Sequence, residues 1–151
     1  MSAEVSGIRP EGLMLVLQQA LRSDVGKIYL QKASGEYAAA GYEVTPWLRS
    51  FLERYSELVV AWRTARGGEV ELDTRVEAAL DAYPHNVRVW GRRLGMSVVP
   101  VGMAFETEER LLLAEDGEIL IAGDGGIQRV GRGFENCLAA LISGAWNKRF
   151  F

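Results

Sequence analysis

Between Ser97 and Val130, apolar runs of strand length alternate with turns. Ser97 to Val101 reads as one strand and Arg110 to Ala114 as the next. Asp116-Gly117 is the strongest short hairpin signal in the chain, because a type I′ turn needs positive φ at both central positions. Glu118 to Ala122 returns, and Gly123-Asp124-Gly125-Gly126 turns again into Ile127 to Val130. Strands joined this closely pair antiparallel, since a parallel neighbour needs a crossover of a dozen or more residues. The last third is therefore expected to be a short antiparallel meander.

Ahead of it the apolar period is mostly helical. Residues 1–11 read as an irregular lead-in broken by Gly7 and Pro10. Leu13, Val16, Leu17, Ala20 and Leu21 recur at helical spacing from Gly12 to about Arg22. Ile28 to Ala40 suggests a helix ended by Gly41, although Ser34-Gly35 weakens it. Thr45 is a natural N-cap, and Pro46 sits where a missing N–H costs nothing. Trp47, Leu48, Phe51, Leu52, Tyr55 and Leu58 then form one apolar stripe.

The period changes next. Leu58 to Trp62 and Glu69 to Asp73, around Arg66-Gly67-Gly68, predict a hairpin with one face in the core. Thr74-x-x-Glu77 reads as a capping box for a helix carrying Val76, Ala79, Leu80 and Tyr83, which Pro84 limits. Val87, Trp90 and Leu94 mark a further helix that Gly95 stops. Phe134, Cys137, Leu138, Leu141 and Ile142 mark a closing helix with Gly144 at its end. The expectation is a single α+β domain over residues 1–151.

Charge and composition narrow the function. The net charge is −3, whereas a domain that binds nucleic acid through phosphate contacts carries a basic surplus. No apolar run is long enough to span a membrane, and Met1-Ser2-Ala3-Glu4 does not resemble a secretory signal. The lone Cys137 makes no intramolecular disulfide and offers no metal-ligand spacing. A cytoplasmic protein without a nucleic-acid or membrane partner is expected.

Nor does a catalytic constellation emerge. His85 is the only histidine, which excludes a two-histidine zinc site, and at a helix break it reads as a surface residue. Cys137 lies on an apolar stripe, where cysteine behaves as a small hydrophobe. The glycines at 123–126 join two strands, not a strand to a helix, and no Walker lysine follows. Gly131-Arg132-Gly133 precedes a helix without a full phosphate-binding fingerprint. No enzyme activity, cofactor or metal is expected. Acidic residues do gather, at Glu106, Glu108, Glu109, Glu115, Asp116 and Glu118. They read as a solvated rim that keeps sheet edges soluble, as a patch for a basic partner, or as carboxylates converging on a small ligand. The four tryptophans fall mostly at core positions, with Trp146 partly exposed beside Lys148 and Arg149.

The order of these segments resembles the SUKH superfamily, and most closely its bacterial immunity proteins. The resemblance begins at Gly41-Tyr42-Glu43-Val44 and at Phe51-Leu52, Tyr55, Leu58 and Val60. It continues through Leu94-Gly95, Pro100-Val101-Gly102, Leu111-Leu112-Leu113 and Asp116-Gly117-Glu118-Ile119. Val130-Gly131, Phe134, Leu138, Leu141-Ile142 and Gly144 complete it, so that it covers about residues 40–145. Where the family commonly has a glycine pair before its first strand, this chain has Ser56-Glu57. The resemblance implies helices packed on a bent, mostly antiparallel sheet. It also implies a non-catalytic protein that neutralises a cognate toxin, often a nuclease, by stoichiometric binding. The alternative is a regulatory or scaffolding protein of the same fold that binds a cellular partner. The acidic rim residues are the expected partner-binding positions.

Overall fold

The structure, a computed structural model, describes residues 3–5, 26–63, 67–104 and 109–150. In chain order its elements are β1 (Ala3–Val5), α1 (Gly26–Ala39), α2 (Pro46–Tyr55), β2 (Leu58–Arg63), β3 (Glu69–Asp73), α3 (Val76–Ala79) and α4 (Pro84–Leu94). There follow β4 (Val98–Ala104), β5 (Glu109–Ala114), β6 (Glu118–Gly123), β7 (Gly126–Arg132) and α5 (Phe134–Ser143). The sheet follows sequence order from β1 to β7. Strands β2 to β7 pair antiparallel, and β1 adds a parallel edge on β2. This is the α+β architecture expected, with a mostly antiparallel sheet. The helix expected at 12–22 lies outside the described residues, and among those described no helix is long and apolar enough to cross a membrane.

Both faces of the meander are covered. On one face Leu111, Leu113, Ile119, Ile121, Val99 and Val101 pack with Tyr37 of α1, Leu48 and Phe51 of α2, and Phe134 and Leu138 of α5. On the other, Leu112, Ala114, Leu120, Ala122 and Ile127 pack with Val87 of α4. The alternation along β5 and β6 divides the two layers, as the two-residue period of a strand requires. Strand β2 is buried on both faces from Leu58 to Trp62, so the predicted one-sided hairpin is two-sided there.

Strand β4 carries the irregularity that shapes the centre. Pro100 lacks an N–H, and Val101 is an extra residue between Pro100, opposite Leu112, and Gly102, opposite Leu111. A proline inside a sheet is tolerated at such a bulge. Two residue pairs, Leu72 with Ala104 and Asp73 with Met103, join β3 to β4. At this crossing a Cβ on Gly102 would overlap the Asp73 carbonyl oxygen, so only glycine fits.

Four local expectations are corrected. Ala3–Val5 forms β1 within the lead-in expected to be irregular, where pairing with β2 overrides the absence of a strand signal. Thr74 does not cap a helix. Its buried hydroxyl donates to the Tyr55 carbonyl at 2.6 Å and accepts from the Leu58 N–H at 3.0 Å, fastening the end of α2 and the start of β2 to β3. The N-cap of the short α3 is Arg75, with Asp73 Oδ1 accepting from its N–H. Pro84 opens α4 at its first position instead of limiting the preceding helix, and Tyr83 stands exposed as N-cap. At the β5–β6 hairpin only Gly117 has positive φ, at 88°. The loop has three residues, 115–117, and the Gly117 N–H donates to Ala114 O, a pattern distinct from the two-residue type I′ turn.

Candidate functional site

The meander determines where the acidic residues stand. Glu115, Asp116 and Glu118 lie at the tip joining β5 to β6. Glu109 begins β5 at the opposite end, with its side chain against Gly123. The six-residue strand that starts at Glu109 sets the two apart by roughly 17–20 Å. Glu106 and Glu108 lie outside the described residues. The structure therefore brings three of the six together and sets Glu109 apart.

The tip is not purely acidic. Asp116 accepts the Glu118 N–H at 2.9 Å, which rigidifies the turn, and faces Arg132 at 3.3 Å. Glu118 accepts from Arg129 at 2.7 Å across the β6–β7 pair. These partners sit on exposed or half-exposed arginines, where such a pair contributes on the order of 0–1 kcal/mol. Their effect is to fix the position of charge more than to hold the fold. Glu115 is exposed beside them.

Glu115 also lines a cleft of about 850 Å³. One wall is α4, through Val87, Arg88, Gly91 and Arg92; the other is the end of α1 and the following turn, Ala40, Gly41 and Tyr42. Met96 and Val98 contribute apolar surface from the entry to β4. Gly91 permits this close packing, because a Cβ there would lie 3.1 Å from the Met96 carbonyl oxygen. The Tyr42 hydroxyl is buried without a hydrogen-bond partner among the described residues. Burial pushes its pKa above the ordinary phenol value, and Arg88 opposes that shift. Helix α4 carries Arg88, Arg92 and Arg93 and no acidic residue. The sequence reading passed over these arginines; the signal available was a helix with one sign of charge in an acidic chain.

The side chains that chemistry would need are placed as structure. Cys137 is fully buried, and desolvation pushes its thiol up to about 12. Such a thiol stays protonated and inert at neutral pH. His85 is exposed in the first turn of α4. Gly133 is the left-handed residue before α5, and the 123–126 glycines close the β6–β7 turn. Trp62 is buried, while Trp47, Trp90 and Trp146 are half-buried. Lys148 Nζ lies 4.6 Å from the Trp146 ring centroid. Among the described residues no group of three or more His, Cys, Asp or Glu is arranged to hold a metal ion.

A family model described as SUKH-3 immunity protein matches residues 22–144. The match runs from before α1 to Gly144, the left-handed residue that ends α5. No curated protein and no solved structure matches the chain.

Proposed function

We propose, from the premise that this chain belongs to the SUKH-3 immunity protein family, that it binds a cognate toxin directly and neutralises it by occlusion. The observation that carries this reading is the β5–β6 tip. It carries the exposed Glu115, with Asp116 and Glu118 each held by an arginine, on a hairpin whose two strands are buried on both faces. A loop anchored in that way loses little entropy on binding, which favours affinity beyond what area alone provides. Acidic groups at the tip suit a basic partner such as a nuclease domain, accelerating encounter and selecting the correct face. On this reading the complex is one-to-one, forms in the cytoplasm and involves no catalysis by this chain. Glu106, Glu108 and Glu109 remain proposed contacts.

The test is co-expression with the product of the adjacent gene. Restored growth and co-purification at equal stoichiometry are expected. Toxicity that persists despite soluble expression of this chain would overturn the proposal and favour a regulatory binding role.

A further inference from the structure

We propose that the cleft between α4 and the Gly41-Tyr42 turn receives an acidic, partly apolar segment of the protein partner. The inference rests on the binding reading above and adds to it a second contact of opposite sign. Arg88 and Arg92 stand one helical turn apart on the same wall of the cleft, and both are exposed. Neither joins an ion pair among the described residues, whereas Arg75, Arg110, Arg129 and Arg132 each do. Guanidinium groups so placed match carboxylates in bidentate geometry. Opposite them the buried Tyr42 hydroxyl lacks a hydrogen-bond partner among the described residues, and a buried polar atom left so is costly. Pro84, Val87, Met96 and Val98 supply apolar contact beneath the charged rim. Glu115 is the one acidic side chain on the lining among the described residues. A partner that engages the hairpin tip through basic groups and the cleft through acidic ones would be oriented by both signs at once.

The probe is a terminally blocked Glu-Leu-Asp-Leu peptide, titrated into the whole isotope-labelled chain and followed by amide NMR shifts. Its neutral counterpart, Gln-Leu-Asn-Leu, and inorganic phosphate are titrated alongside. The expected result is saturable shifts confined to Tyr42, Arg88, Gly91, Gly95 and Met96. Binding should weaken about tenfold or more for the neutral peptide and for the R88A/R92A double variant. Glu115→Gln should strengthen binding, because it removes the one carboxylate that repels the ligand. Thermal unfolding of each variant confirms that the fold persists. Equal binding of the neutral peptide, shifts away from the cleft, or no saturable shift would overturn the proposal. So would phosphate saturating the cleft while the peptide does not, which would indicate a small-anion site. Concentration-dependent shifts at these residues without ligand would overturn it in favour of a second copy of this chain. None of these results bears on whether the whole protein captures its toxin, so the two readings fail separately.

Discussion

The Tyr37 hydroxyl donates a 2.6 Å hydrogen bond to the Pro100 carbonyl oxygen inside the core. It joins α1 to the bulge of β4 across a layer that is otherwise apolar. Tyr37 is completely buried, and desolvation holds its phenol protonated well above the ordinary range. Tyr37→Phe keeps the ring and removes the donor, leaving the carbonyl without this partner. The expected cost is about 1–3 kcal/mol in urea unfolding, the range for stranding a buried polar group. An unchanged midpoint would show that another donor takes over.

Gly102 tests the neighbouring crossing. A methyl group there meets the Asp73 carbonyl oxygen, which β3 cannot withdraw without breaking its pairing with β4. Gly102→Ala should destabilise by about 3 kcal/mol, the upper part of the usual range for overpacking. Gly35→Ala is the control, since a Cβ there meets nothing within 4 Å and its helix gains propensity. Similar melting temperatures for the two variants would refute the close approach.

Glu57 has φ of 63°, the one left-handed non-glycine residue among those described. Its carboxylate accepts from the Val76 N–H at 3.2 Å, and its own N–H donates to Thr74 O. The left-handed conformation costs roughly 1–2 kcal/mol, and the side-chain hydrogen bond returns a comparable amount. Glu57→Gly should therefore be neutral to within about 1 kcal/mol. Glu57→Val, which is β-branched and has no acceptor, should lose about 2 kcal/mol or more, measured by the same denaturation. Equal losses would place the whole effect in the hydrogen bond.

These three sites show what the sequence made legible and what it did not. The helices that begin at Pro46 and end at Gly95 and Gly144 were readable because caps and stops act within one turn. The strands of the meander were readable from their two-residue period and turn glycines. Thr74 misled because its spacing to Glu77 fits a capping box, while its hydroxyl answers to Tyr55 and Leu58, sixteen or more residues away. Pro84 misled because proline both ends and begins helices, and the neighbouring Tyr83 gives no directional signal. The acidic residues looked like one cluster because they are close in sequence, yet a strand carries its two ends far apart. The Tyr42–α4 cleft joins residues about fifty positions apart, a distance that no local pattern records.

If the proposed toxin binding holds, the separation of the acidic residues predicts unequal effects on it. Glu115→Lys at the tip should slow association and reduce its sensitivity to salt, as loss of steering charge does. Glu109→Lys, at the far end of β5, should change association less. Surface plasmon resonance at two ionic strengths separates them. A larger effect at Glu109 would move the partner to the β6–β7 end of the sheet.

Cys137 gives the last prediction, and its sign follows from burial. Its thiol titrates near 9.0 in the unfolded reference and is pushed up to about 12 in the fold. Below about pH 9 it is protonated in both states and stability does not depend on it. Above that pH the unfolded chain loses a proton that the folded chain retains, so stability falls as pH rises toward 12. Cys137→Ala removes this dependence while leaving a small cavity. The variant should be less stable than the parent near about pH 8, and the gap should narrow by about pH 10.5. Both proteins will also lose the contribution of Tyr37, whose raised pKa acts in the same direction above about pH 10, so only the difference between them isolates the thiol. A gap that is constant across this window would mean that the thiol reaches solvent in the folded protein. Fast labelling by a thiol reagent at neutral pH would point the same way.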